Sequence, residues 1–396
     1  MSDKWNRVSI VQEDLEDAEW APATGAYNLP RSWPERGGIC VRLMTLLSAT
    51  VALGLLACTS EETPTEPSAS AHTELATVKA YTAVDLGTLG GPSSEATGIN
   101  PAGQIVGGSQ TAAGSFQTHA FLWADGRMTD LGTLGGSDSR ANGINPKGQI
   151  VGGSEMAERL PSGEIPTHPF LWDKGVMIDL GTLGGNQAGA NAINPAGWVV
   201  GQSERTDRLT HAFVWKKGVI TDLGTLGGDL SVAYGINPRG QVVGQSYTTG
   251  NATFHAFLWE NGIMTDLGTL GGANSVATGT NARGQVVGWS ETAERESHAF
   301  LWERGVMTDL GTLGEDMHTS AAMSITPAGQ VVGESVLPGI NFTRHAFLFT
   351  KGLMVDLGTL GGNTSVATGI NPAGQVVGSS NTVVGGSNHA TLWTRK

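Results

Sequence analysis

From about residue 80 to the C-terminus the chain is built of short apolar or alternating runs, each cut off by turn residues. Four kinds recur in a fixed order. The first alternates small and variable positions, S-x-A-x-G-I-N, as in Ser94 to Asn100. The second is G-Q-V-V-G-x-S, as in Gly240 to Ser246. The third is H-A-F-L-W, as in His119 to Trp123, and the fourth M-T-D-L-G-T-L, as in Met307 to Leu313. Period-two or brief apolar runs bounded by Gly, Pro and Asn predict β-strands, too short for helices. Asn-Pro-x-Gly follows the first run, as in Asn371-Pro372-Ala373-Gly374, and suits a type I turn. A residue-then-glycine step such as Asp125-Gly126 or Asn261-Gly262 separates the third run from the fourth and predicts a tight hairpin.

The string DLGTLG begins at Asp85, Asp130, Asp179, Asp222, Asp266, Asp309 and Asp356. Repeats of about 40–50 residues with four strands each predict propeller blades. The expected fold is therefore all-β: a seven-bladed β-propeller of four-stranded antiparallel blades over residues 80–396. The ends support closure. A spare fourth strand, 81–87, precedes the first repeat, and the last repeat stops at Trp393 without its own. Together they make one blade and remove two exposed edges.

The recurring His-Ala-Phe, DLGTLGG and GIN-x-x-GQVVG strings resemble the HAF repeat family of probable extracellular proteins. The resemblance covers about residues 80–396. It implies export and tandem repeats, and it brings no catalytic residues. Departures are Pro169 for Ala, Thr391 for Phe, Phe349 for Trp, and Thr280-Asn281-Ala282 for Ile-Asn-Pro. They bear on local packing.

The first eighty residues follow a different pattern. Residues 43–57, LMTLLSATVALGLLA, form a long apolar run, short for a bilayer-spanning helix and suited to a signal-peptide core. Arg42 flanks it, and it ends Leu55-Leu56-Ala57-Cys58, which resembles a bacterial lipobox with Cys58 as the lipidated residue. Residues 41–57 are thus read as a lipoprotein signal peptide and 58–79, rich in Ser, Thr, Pro and Glu, as a flexible linker. Thr59 rather than Asp after the cysteine favours the outer membrane, by analogy. Residues 1–40 are polar and non-periodic, an extension explained most simply by a start codon nearer Val41 or Met44. The other reading is a cytoplasmic protein with a buried helix at 43–57.

Charge and cysteines narrow the function. With 23 basic and 36 acidic residues the net charge is −13, which gives no electrostatic reason to hold nucleic acid. Cys40 and Cys58 are the two cysteines, so the repeats carry no thiol for a disulfide, metal site or nucleophile. GTLGG lacks the phosphate-binding fingerprints, and no G-x-S-x-G elbow accompanies the recurrent Ser, His and Asp. The seven histidines opening the third strands lie too far from a propeller axis to share one ion. In a tight hairpin Phe121 would oppose Asp130, placing His119 diagonal to Asp130 and pairing them as a structural contact.

Symmetric positions build the scaffold, so function is expected where the repeats differ. The second-to-third connections vary most, and they share a face with the crossings between blades, the usual ligand side of a propeller. The longest, 155–167, offers Glu155, Glu158, Arg159 and Glu164. The crossing into unit six is two residues longer than the others and contributes Glu315, Asp316 and His318; Glu334 and Trp289 lie near the same face. Phe116, Tyr247, Phe254 and Phe342 offer further stacking surfaces. The expected role is a non-enzymatic surface binding module, monomeric and without cofactor or resident metal, whose ligand is a glycan or an envelope protein. An enzyme acting on extracellular polysaccharide would draw on Glu315, Asp316 and Glu334. A structural envelope protein without ligand is the third reading.

Overall fold

The computed structural model describes residues 81–396 apart from 115, 315–318, 338–342 and 384–385. The expected extension, signal peptide, Cys58 and linker therefore lie outside the described residues. Among those described, no helix is long and apolar enough to cross a membrane.

In the first blade Ser94–Ile99, Ile105–Gln110, Thr118–Ala124 and Arg127–Asp130 pair in antiparallel order, and six further blades repeat the arrangement. In the seventh, Tyr81–Asp85 pairs with Asn388–Arg395 and supplies the outermost strand from the other end of the chain. The fold is a seven-bladed β-propeller closed by its N-terminal strand. Two boundaries differ from the sequence reading. The fourth strand stops at Asp rather than running through Leu-Gly-Thr-Leu, because the Asp carboxylate accepts from the Gly N–H two residues on, as Asp130 does from Gly132, and that Gly sits at positive φ. In blades two to five the inner strand starts earlier, at the second Gly-Gly glycine's predecessor, as in Gly135–Ile144.

The hairpins follow the twist. Asp125 and Gly126 both have positive φ, as do the paired residues of blades two to six, giving the mirror-image turn that matches strand twist. A bulge interrupts every inner strand one residue after its central alanine, as between Ala96 and Gly98. This turns Thr97, Asn142, Asn191, Tyr234, Thr278, Met323 and Thr368 to the central channel, a space of about 230 Å³. The Ser and Ala positions of the first run are small, and the bulge is why larger side chains reach the axis.

Blades bind one another through an apolar layer and through side chains aimed at backbone. The HAF phenylalanine is fully buried in blades one to six and faces the preceding blade: Phe170 packs with Val106 and Ala120 of blade one. The inner-strand serine accepts the HAF alanine N–H of the preceding blade and donates to the DLG carbonyl, as Ser139 does for Ala120 and Gly132. Blade two has Pro169, which lacks an N–H, and the serine that would have accepted it is Ala188. The two departures match one another. On the opposite face, the turn asparagine caps its own turn with Oδ1 and donates Nδ2 to the next blade's turn carbonyl. Asn145 to Asn194 is one such bond, and Asn371 to Asn100 joins the ends of the ring. Thr326 of blade six replaces this asparagine.

Two stability outcomes follow. At the last glycine of GQVVG a Cβ would collide with the inner-strand carbonyl, Val232 O for Gly244. Gly244→Ala should therefore cost roughly 3 kcal/mol or more, read as a fall in thermal midpoint; an unchanged midpoint would contradict the packing. Thr326→Asn should restore the missing inter-blade bond and add about 1 kcal/mol, seen as a raised midpoint.

Candidate functional site

All seven HAF histidines hold the DLG aspartate of their own blade, Nδ1 to carboxylate, at 2.7 to 2.9 Å. Phe121 opposes Asp130 in the hairpin register, which puts His119 on the same sheet face as Asp130. In the closing blade the pair is His389 with Asp85, so it joins residues from opposite ends of the chain. The aspartate's other oxygen receives the Gly N–H, so the pair fixes the turn into the next blade. The histidines thus stand one to a blade in structural contacts. Among the described residues no three His, Cys, Asp or Glu gather where they could hold a metal ion.

The glycine-rich crossings are equally committed. The second-strand serine accepts the N–H of the second leucine of DLGTL, as Ser154 does for Leu134, and this occurs in every blade. No free serine nucleophile arises from these positions.

The upper face, formed by the crossings and the second-to-third connections, holds the residues that differ. Glu155 receives the Ser137 N–H and hydroxyl, at 3.2 and 2.6 Å, and so braces a crossing. Glu204 and Glu291 do the same for Asn186 and Ala273. Glu164 receives the Gln187 side-chain amide at 2.8 Å, tying the long loop to blade three. Glu158 and Arg159 are exposed further out, and Arg159 donates to the Gly163 carbonyl. Glu334 is paired with Arg344 at 2.9 Å. It shares a groove of about 260 Å³ with Trp289, so the structure brings these two predicted residues together. Trp289 also closes an edge-to-face series with Phe254 and Tyr247, at 6.0 and 5.8 Å between centroids. Phe116 projects almost wholly into solvent, at 92% exposure. Glu315, Asp316, His318 and Phe342 lie outside the described residues.

Sequence reasoning missed a wide concavity on this face. A groove of about 570 Å³ lies across blades two and three, lined by Asp138, Arg140, Asn142, Gly153, Gln187 and Gln202 among others. Of the four residues expected on the 155–167 loop, Glu155 alone lines it. The signal was present in the repeats: Gly153 stands where blades three to six have Gln202, Gln245, Trp289 and Glu334. Trp198 was missed too. It replaces the turn glutamine of the other blades, and the Lys216 ammonium sits 3.6 Å from its ring centroid on the opposite face.

Among solved structures the chain is similar to the β-propeller domain of the Trilobed protease from Pyrococcus furiosus, described as having an open velcro topology. Identity is 10%, the TM-score is 0.55, and 77% of this chain and 96% of that one are covered. TolB from Acinetobacter baumannii aligns at 13% identity and a TM-score of 0.39, covering 54% of this chain and 51% of that one. AofleA from Arthrobotrys oligospora aligns at 12% and 0.39, covering 70% and 88%. The first likeness is one of fold alone. No family model matches the chain, and no curated protein matches it. The resemblance to the HAF repeats rests on the motif residues.

The His–Asp pair of blade six gives a pH dependence. Burial pushes the Asp356 carboxyl upward, but the hydrogen bonds from His345 and the Gly358 N–H, with the His345 charge, outweigh it and hold it below the usual carboxylate range. A folded value below the unfolded one means stability present above the ordinary carboxylate range and lost as pH falls through the folded value. His345→Ala removes the bond and charge but leaves the burial. Its thermal midpoint should therefore begin its acid decline at a higher pH than the wild type. Superimposable acid limbs would show that the pair contributes nothing.

Proposed function

We propose that this chain is a non-enzymatic binding module, exported and held on the cell envelope by a lipid on Cys58. Its ligand is a glycan or an envelope protein, met by the upper face. The observation that carries this reading is the division of labour among residues. The His, Asp, Ser, Asn and Gly of the motifs hold the blades, while the two grooves of the upper face are lined by residues that differ from blade to blade. A polysaccharide-acting enzyme needs two carboxylates able to act as acid and base or nucleophile. Glu334 is engaged by Arg344, and the braced Glu155 by Ser137, which favours binding over turnover.

Two experiments address this. The expressed full chain should incorporate labelled fatty acid, and Cys58→Ala should not; equal labelling of both would remove the anchor from the account. The purified chain should be retained on an immobilised glycan panel or should capture an envelope protein, without consuming the glycan. Release of reducing ends by the wild type would replace the binding module with an enzyme.

A further inference from the structure

Near the upper face every blade pairs one inner-strand residue with one second-strand residue. These are the position after the inner-strand serine and the x of G-x-S, paired in register within each blade as Val232 is with Gln245. By position the second-strand residue of one blade corresponds to the inner-strand residue of the next, and at two junctions the two are close: a Cβ on Gly108 would lie 3.3 Å from Arg140 Cγ, and one on Gly153 would lie 4.0 Å from the Gly189 Cα. The seven described junctions then read Gly108 with Arg140, Gly153 with Gly189, Gln202 with Val232, Gln245 with Val276, Trp289 with Ala321, Glu334 with Val366, and Ser379 with Glu95. The junction of blades two and three is the one where both are glycine. The large groove opens there.

These two glycines are not demanded by the backbone. Neither has a positive φ. A Cβ on Gly153 would meet Thr167 Cγ2 at 3.6 Å and the Gly189 Cα at 4.0 Å; one on Gly189 would meet Gln202 Nε2 at 3.5 Å. All are ordinary contacts. The nearby Gly152 and Gly201 differ, since a Cβ there would strike a strand carbonyl. The fold thus requires one glycine in each second strand, and blade two carries a second whose effect is to leave space. Ala188, which replaces the serine of the other six blades, enlarges the same wall.

The chemistry around this space is polar, with a mildly acidic balance. Arg140 is balanced by Glu95 at 2.6 Å, and the Glu155 carboxylate is held by Ser137. Asp138 receives the Thr118 N–H at 2.8 Å. The Gln202 carbonyl oxygen is taken by Asn191 at 2.7 Å, which turns its amide nitrogen toward Gly189. Carboxylates, carboxamides, hydroxyls and a guanidinium at one concave wall match a ligand with many hydroxyl groups and no net charge. A strongly anionic ligand would face two carboxylates, and the guanidinium of the lining is already paired with Glu95.

We propose that the groove between blades two and three is the binding site for a neutral oligosaccharide. This deepens the binding-module reading and rests on it. The site is distinct from the exposed tip of the 155–167 loop, although Glu164 and Gln187 tie that loop to its rim.

The test fills the space with residues the protein already uses. Gly153→Gln and Gly189→Val copy Gln245 and Val232 of blade four. Binding to the full chain is measured by titration calorimetry with neutral di- to tetrasaccharides of glucose, galactose, mannose and N-acetylglucosamine. A sialylated trisaccharide serves as the charged comparison. Arg140→Gln, which leaves the strand backbone intact, provides a second variant, and Trp289→Ala probes the groove between blades five and six. The expected result is binding of at least one neutral oligosaccharide by the wild type. Each filling variant should weaken it about tenfold or more at an unchanged thermal midpoint; Arg140→Gln should weaken it as well and Trp289→Ala should leave it intact. If a filling variant unfolds, the result for Arg140→Gln decides. Full binding by the filled variants with loss in Trp289→Ala would overturn this site and keep the binding module. Failure of the wild type to bind any of the neutral saccharides would overturn the ligand class, and capture of an envelope protein by that same wild type would leave the binding module standing.

Discussion

A propeller blade has no way to satisfy its inner edge alone, and here each blade is completed by polar side chains that reach the backbone of a neighbour. The inner-strand serine joins the third strand of the preceding blade to the crossing that leads from it. The turn asparagine does the equivalent on the opposite face. Buried backbone groups left unpaired are costly, so these contacts fix the register between blades. They also close the ring. Ser94 with Ala390 and Asn371 with Asn100 repeat at the chain ends the bonds made elsewhere between consecutive blades, and His389 with Asp85 repeats the bond made elsewhere within one blade. The closing junction needs no special device because it carries the same serine and asparagine bonds as most of the others.

This dependence explains the glycine-rich composition. Within each blade an inner-strand carbonyl and the second strand lie close at one point. That point is the last glycine of GQVVG, where a Cβ would strike a carbonyl. The glycines of the DLG turns answer a different demand, a positive φ that follows the Asp cap. Even the departures obey the bonding rule. Pro169 has lost the N–H that the serine would accept, and the serine is Ala188.

Much of this was legible in the sequence, because a motif repeated seven times averages out local exceptions. Strand order, the closing strand and the hairpin register that pairs His119 with Asp130 follow from alternation and turn chemistry alone. The inner-strand bulge was not legible: an extra residue changes the facing of every following side chain without changing the pattern of residue types. The second role of the asparagine was hidden for a related reason, since turn formation already accounts for it. The groove escaped notice because attention to loops of unequal length favours added residues. Its mark is missing side chains, at Gly153, Ala188 and Gly189, inside strands of ordinary length.

The central claim is that motif residues make the ring and divergent upper-face residues make the function. The most direct measurement is a substitution scan of the full exported chain, scored for amount at the cell surface and for ligand capture per molecule. The account predicts that replacing motif His, Asp, Ser or Asn lowers the amount in any blade and leaves capture per molecule unchanged. Upper-face residues of one junction should show the reverse. If a motif residue in a single blade lost capture at normal amount, while its six counterparts did not, that residue would be functional and the division drawn here would be wrong.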